Sequence, residues 1–140
     1  MSIERLLLLL AVAALLALAV VIVRAWNARR TRQLATSEPR ALFSALGVVP
    51  DGRPTVVSFS SPSCAACHQA QTPAVHAVIQ RTRGVRHVEV DTAAQPQVAR
   101  AFGVLTVPST AILASSGHLV ALNQGFAPTA RLLGQLQRAS

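Results

Sequence analysis

One stretch of the chain is apolar without interruption, and the rest alternates in short patterned segments. Leu6 to Val23 reads LLLLLAVAALLALAVVIV, eighteen residues with no charge and no proline. As a helix rising ~1.5 Å per residue, this run and its flanks span roughly 27–30 Å, about one hydrocarbon core. A polar stretch is expected to continue that helix and then unravel into a linker, after which Ser37-Glu38-Pro39 reads as a helix start, with Ser37 as N-cap and Pro39 in the first turn. ALFSALGVV follows as a short amphipathic helix ending near Gly47, and PDGRP is turn chemistry. TVVSFS, Thr55 to Ser60, predicts a buried strand. A helix is expected from Ser63 or Cys64 to about Arg83, capped by Ser63 and kinked at Pro73. VRHVEVD predicts a second strand, and AQPQVARAFG a short helix stopped by Gly103. VPSTAILA and HLVALNQG flank the turn SSG as an antiparallel hairpin. PTARLLGQLQRA closes the pattern as an amphipathic helix with Leu132, Leu133 and Leu136 on one face.

These segments divide the chain into a membrane anchor over residues 1–25, a juxtamembrane linker over 26–38 and one α/β domain over 39–140. The apolar run exceeds the roughly 7–15 residues of a cleaved signal peptide, and RAWNARRTR follows it in place of a small-x-small cleavage site. An uncleaved single-pass anchor is therefore expected, with Trp26 at the interface. The flank Arg24, Arg29, Arg30 and Arg32 outweighs Arg5, which by the positive-inside rule places the domain in the cytoplasm.

The formal charge of +8 rests entirely on arginine. From Ala41 onward seven arginines face three acids, a balance of +4, and they are scattered. No aromatic stacking platform accompanies them, so no nucleic-acid partner is expected. The lipid bilayer is the partner that the juxtamembrane cluster suits. Three acids in the domain leave hydrolytic chemistry almost without candidates, and no Ser-His-Asp constellation or phosphate loop is visible.

Candidate chemistry sits in FSSPSCAACHQA, which holds both cysteines, Cys64 and Cys67, followed by His68. Cys-x-x-Cys writes a dithiol redox centre, and Cys-x-x-Cys-His also writes covalent haem attachment. For haem, His68 would be the proximal ligand, but His76 shares its helix and the sole methionine is Met1. A zinc site lacks a second histidine pair at ligand spacing, so no metal is expected. A purely structural disulfide across so short a loop constrains little chain entropy.

A strand leading into Cys-x-x-Cys, then FGVLTVPST with Pro108 forty-four residues beyond Cys64, then a hairpin and a final helix, resembles the thioredoxin family over roughly Pro39 to Ala139. The resemblance implies a thioredoxin-like fold, a central mixed β-sheet flanked by helices, preceded here by the transmembrane helix. It implies a cis Val107–Pro108 bond facing the dithiol, with the Val107 backbone offered to an extended substrate. Gly125 resembles the family glycine that keeps the substrate groove open, and Phe59 and Ala66 would be packing residues. A helix N-terminus stabilises a thiolate, which makes Cys64 the nucleophile and Cys67 the resolving thiol.

Departures from the family pattern concern the surroundings. Ser63 replaces the usual tryptophan, and Ser58 replaces the buried acid of reducing members. His87 stands where the family often has a lysine. His68 is either an imidazolium that favours the thiolate or an ordinary first-turn residue. The implied activity is membrane-tethered thiol–disulfide exchange, its expected partners being membrane-associated protein thiols and disulfides. It needs a redox partner as electron donor or acceptor and no cofactor beyond the Cys64–Cys67 disulfide. Family habit, against the arginine count, favours an extracytoplasmic domain. The alternatives are a non-catalytic scaffold that binds through Val107 and Pro108, and a c-type haem electron carrier.

Overall fold

The computed structural model describes residues 2–36 and 39–140. Helix α1 runs Ile3–Thr36, and its segment Ile3–Arg29 is long and apolar enough to cross a membrane. The polar stretch continues the helix as expected, as far as Thr36. The expected cap Ser37 lies outside the described residues. α2 (Pro39–Leu46) follows, then β1 (Thr55–Ser60), a π-helical turn (Cys67–Gln71) and α3 (Thr72–Arg81). Next come β2 (Arg86–Asp91), α4 (Pro96–Ala101), β3 (Ser109–Leu113), β4 (Leu119–Gln124) and α5 (Thr129–Gln137).

The four strands form one mixed sheet in the order β2-β1-β3-β4. β1 pairs parallel with β2 and antiparallel with β3, which pairs antiparallel with β4. β1 lies in the middle with both faces covered, which explains why TVVSFS shows no polar alternation. Successive side chains point to opposite faces. Val57 and Phe59 enter a core with Leu42, Phe43, Val90, Val98 and Phe102, drawn from α2, β2, α4 and the turn after it. Val56 enters a second core with Val75, Val78, Ile112, Leu132 and Leu136, beneath α3 and α5. Phe59 and Phe102 pack ring against ring at 5.3 Å. Leu133, expected on the apolar face of α5, is only partly buried against the second core.

Two further contacts frame the domain. α1 packs against β4, the edge strand of the sheet. At the opposite edge Asp51 pairs with both Arg53 and Arg86, and Arg86 Nη1 also donates to the Val49 carbonyl at 2.8 Å. The hydrogen bond from Arg53 is the main reason the Asp51 carboxyl is held down to about 2.

Candidate active site

Sheet register collects the functional residues at one end of the domain. Phe59 lies opposite Ser109, so the end of β1 and the start of β3 are neighbours. Ser109 also lies opposite Gln124, which brings the end of β4 beside them, and Ser60 opposite Asp91 brings the end of β2. The loops leaving these four ends carry Cys64, Val107–Pro108, Gly125 and Thr92.

Cys64 and Cys67 are joined, with an S–S distance of 2.15 Å. Cys64 is half-buried and Cys67 is 1% exposed. Helical structure opens at residues 65–66, so Cys64 takes the capping place expected of Ser63, which is exposed. The Cys64 carbonyl accepts the His68 N–H at 3.4 Å, and its Sγ accepts the Cys67 N–H at 3.2 Å. A sulfur thus does what a serine oxygen does at other helix starts, satisfying one unpaired N–H of the first turn. His68 and Ala66 are exposed; Ala66 is not the packing residue that the resemblance implied.

The expected kink at Pro73 also takes a different form. The helix widens to π geometry over Cys67–Gln71, with the Thr72 N–H bonding the Cys67 carbonyl. Pro73 then falls in the first turn of regular α3, where its missing N–H is least costly. The π turn carries Gln71 at 3% exposure. Its Nε2 donates to the Ala127 carbonyl at 3.0 Å while its Oε1 accepts the Ala127 N–H at 2.8 Å.

The Val107–Pro108 peptide is cis, with Pro108 buried and Val107 half-buried. A second glutamine holds the loop before it. Gln124 Nε2 donates to the Gly103 carbonyl at 2.9 Å, and its Oε1 accepts from the Leu105 N–H and the Ser109 hydroxyl, each at 3.1 Å. Ser109 Oγ also bonds the Thr106 carbonyl at 2.7 Å. Gly125 has φ +84° and open space where a Cβ would stand. That left-handed backbone conformation is one glycine adopts without strain. A groove of about 210 Å³ beside the cis peptide is lined by Thr92, Ala99, Val104, Leu105, Thr106 and Val107. Leu105 of this lining is 58% exposed, and Phe126, in the segment that follows Gly125, is 49% exposed.

The thioredoxin family profile matches residues 44–138. The chain belongs to the thioredoxin family. Solved structures agree in fold. Mitochondrial thioredoxin 3 from Saccharomyces cerevisiae, in its oxidized form, has TM-score 0.59 and 24% identity, covering 69% of this chain and 89% of its own. Fasciola hepatica thioredoxin gives 0.57 and 23%, covering 71% and 88%. MTB dsbF, in mixed oxidized and reduced forms, gives 0.53 and 21%, covering 64% and 82%. No curated protein matches the chain significantly.

Within this thioredoxin-family domain, Ser58 is not a bare replacement for a family acid. Its Oγ lies 2.6 Å from His87 Nε2, between β1 and β2. The His87 ring also meets His76 of α3 edge-on at 6.4 Å. Burial pushes the His87 pKa below its ordinary value, Glu89 opposes that and His76 adds to it. Sequence reading gave His87 its strand but not its partner, and it missed Gln71 and Gln124 altogether. The only available signal was an amide side chain inside an otherwise apolar helical face, Cys67, Gln71, Ala74, Val75 and Val78.

Proposed function

We propose that this thioredoxin-family chain is a membrane-tethered thiol–disulfide oxidoreductase that exchanges disulfides with protein substrates through Cys64 and Cys67. The observation that carries the reading is the pair of bonded sulfurs at a helix mouth, on the same sheet end as the cis Val107–Pro108 peptide. The half-buried Cys64 is the accessible sulfur, and Cys67 lies behind it.

In the reduced protein, the first-turn N–H of Cys67 stabilises a thiolate on Cys64. That thiolate attacks a substrate disulfide, one substrate sulfur departs as a thiolate, and a mixed disulfide forms. Cys67 then attacks Cys64 Sγ, forming the intramolecular disulfide and releasing the second substrate thiol. Two electrons pass from the dithiol to the substrate. The exposed Leu105 and Phe126 receive apolar side chains of an extended segment lying along Val107. α1 anchors the domain, with Trp26 and Arg29 exposed at its membrane-proximal end. Tethering raises the effective concentration of the dithiol toward membrane proteins.

Trapping tests the reading. Full-length Cys67→Ser in the native membrane should accumulate a Cys64-linked mixed disulfide with its partner, released by dithiothreitol and absent in Cys64→Ser/Cys67→Ser. A Cys67→Ser protein that captures no partner, together with wild-type protein that reduces no insulin disulfide, would refute it.

A further inference from the structure

Cys67 is 1% exposed, so the resolving thiol must hand its proton to a neighbour rather than to bulk water. None of the fully buried polar side chains among the described residues is ionisable; they are Thr55, Gln71, Ser109, Thr110 and Gln135. The redox helix turns Cys67, Gln71, Ala74, Val75 and Val78 toward the sheet. Val75 and Val78 share a core with Val56. Ser58 is on that same face of β1, two residues further along. The helix returns antiparallel to β1, so Ser58 lies about 6–7 Å nearer the cysteine end than Val56 does. His87 lies opposite Val56 in the parallel register and therefore on this covered face too. The 2.6 Å Ser58–His87 contact joins the two under the helix.

We propose that Ser58 and His87 are the proton-accepting pair for Cys67, the imidazole taking the resolving thiol's proton by way of the serine hydroxyl. The assignment rests on the thiol–disulfide reading above. Cys67–SH loses its proton to His87, which becomes an imidazolium. The new thiolate attacks Cys64 Sγ of the mixed disulfide, the Cys64–substrate bond breaks, and the Cys64–Cys67 bond forms. The departing substrate thiolate takes the proton back. The groups that face His87 are Ser58 from β1, Glu89 from β2 and His76 from α3. Burial keeps the imidazole neutral at physiological pH, which is the form that can accept.

The test uses reduced full-length protein in detergent and the chromogenic aryl disulfide 5,5′-dithiobis(2-nitrobenzoate) in stopped flow. Attack by Cys64 releases one chromophore thiolate, and attack by Cys67 releases a second. In wild type the second phase should fade as pH falls through the His87 titration, below about 6.5. In His87→Gln it should slow roughly tenfold or more at pH 6.5, with its profile moved toward the ordinary thiol range near 8.5. The first phase should not change. Ser58→Ala should behave alike, and Ser58→Thr, which keeps the hydroxyl, should recover. A second phase unaltered in both His87→Gln and Ser58→Ala, or equal slowing of both phases, overturns the proposal. Wild-type protein that releases only one equivalent fails the underlying exchange reading instead.

Discussion

Gln71 grips Ala127 by both backbone groups, donating to its carbonyl at 3.0 Å and accepting its N–H at 2.8 Å. One side chain thereby ties the turn that carries Cys67 to the segment that follows Gly125 and Phe126. The π turn and the segment after β4 are thus joined by two hydrogen bonds.

Replacing Gln71 by Leu leaves two buried backbone groups of Ala127 unpaired. The expected cost is about 2–4 kcal/mol of stability, read as a lowered denaturation midpoint of the full chain in detergent. Exchange with a peptide disulfide should lose KM before kcat, because the wall shifts while the sulfurs stay on their helix. A variant as stable as wild type would show that water replaces the clasp.

Gly125 makes a sharper distinction between space and conformation. Its Cβ position is open, yet φ is +84°. Gly125→Ala should lose about 1–2 kcal/mol through the left-handed backbone alone. Gly125→Asn should lose less, since asparagine visits that region more readily. If both variants lose equally, a steric cause is operating.

Two groups give stability two separate acid windows. Asp51 has its folded value lowered from 3.8 to about 2, so its contribution is full above 3.8 and is lost as pH falls toward 2. Asp51→Asn should flatten that part of a pH–stability curve. His87 is also lowered, but it is a base. The unfolded chain binds its proton first, so stability falls as pH drops below the unfolded value near 6.5. His87→Gln should remove this earlier decline and leave the Asp51 window intact.

The exposed apolar pair Leu105 and Phe126 should set substrate preference. Leu105→Ser and Phe126→Ser should each lower kcat/KM for disulfides flanked by apolar residues, by roughly tenfold. Glutathione disulfide, which lacks such flanks, should be reduced unchanged. Equal losses on both substrates would assign the two residues to the fold.

Much of this architecture was legible in the sequence because local signals agreed with global ones. TVVSFS, the Cys-x-x-Cys helix, the hairpin around SSG and the final Leu132–Leu136 helix each carry their own period or turn chemistry. What escaped were long-range side-chain hydrogen bonds. Gln71 and Ala127 are 56 positions apart, and Ser58 and His87 are 29 apart. No periodicity connects residues across such intervals; only the folded chain does. The cap at Cys64 was missed for another reason. Serine is the usual capping residue, and a sulfur accepting an N–H has no mark in a propensity scale.

Helix α1 does not end with its apolar segment. From Arg29 it continues to Thr36, about 10 Å further, and α1 rests against the outer strand of the sheet. The domain is carried on a strut rather than a leash. That contact shields an edge that would otherwise invite strand pairing with a neighbour. Under the membrane tethering proposed above, it would also restrict the altitude at which Cys64 can meet a partner, so reach would become a selection rule. On that proposal, disulfides at that height above the membrane would be served, and those well above or below it passed over.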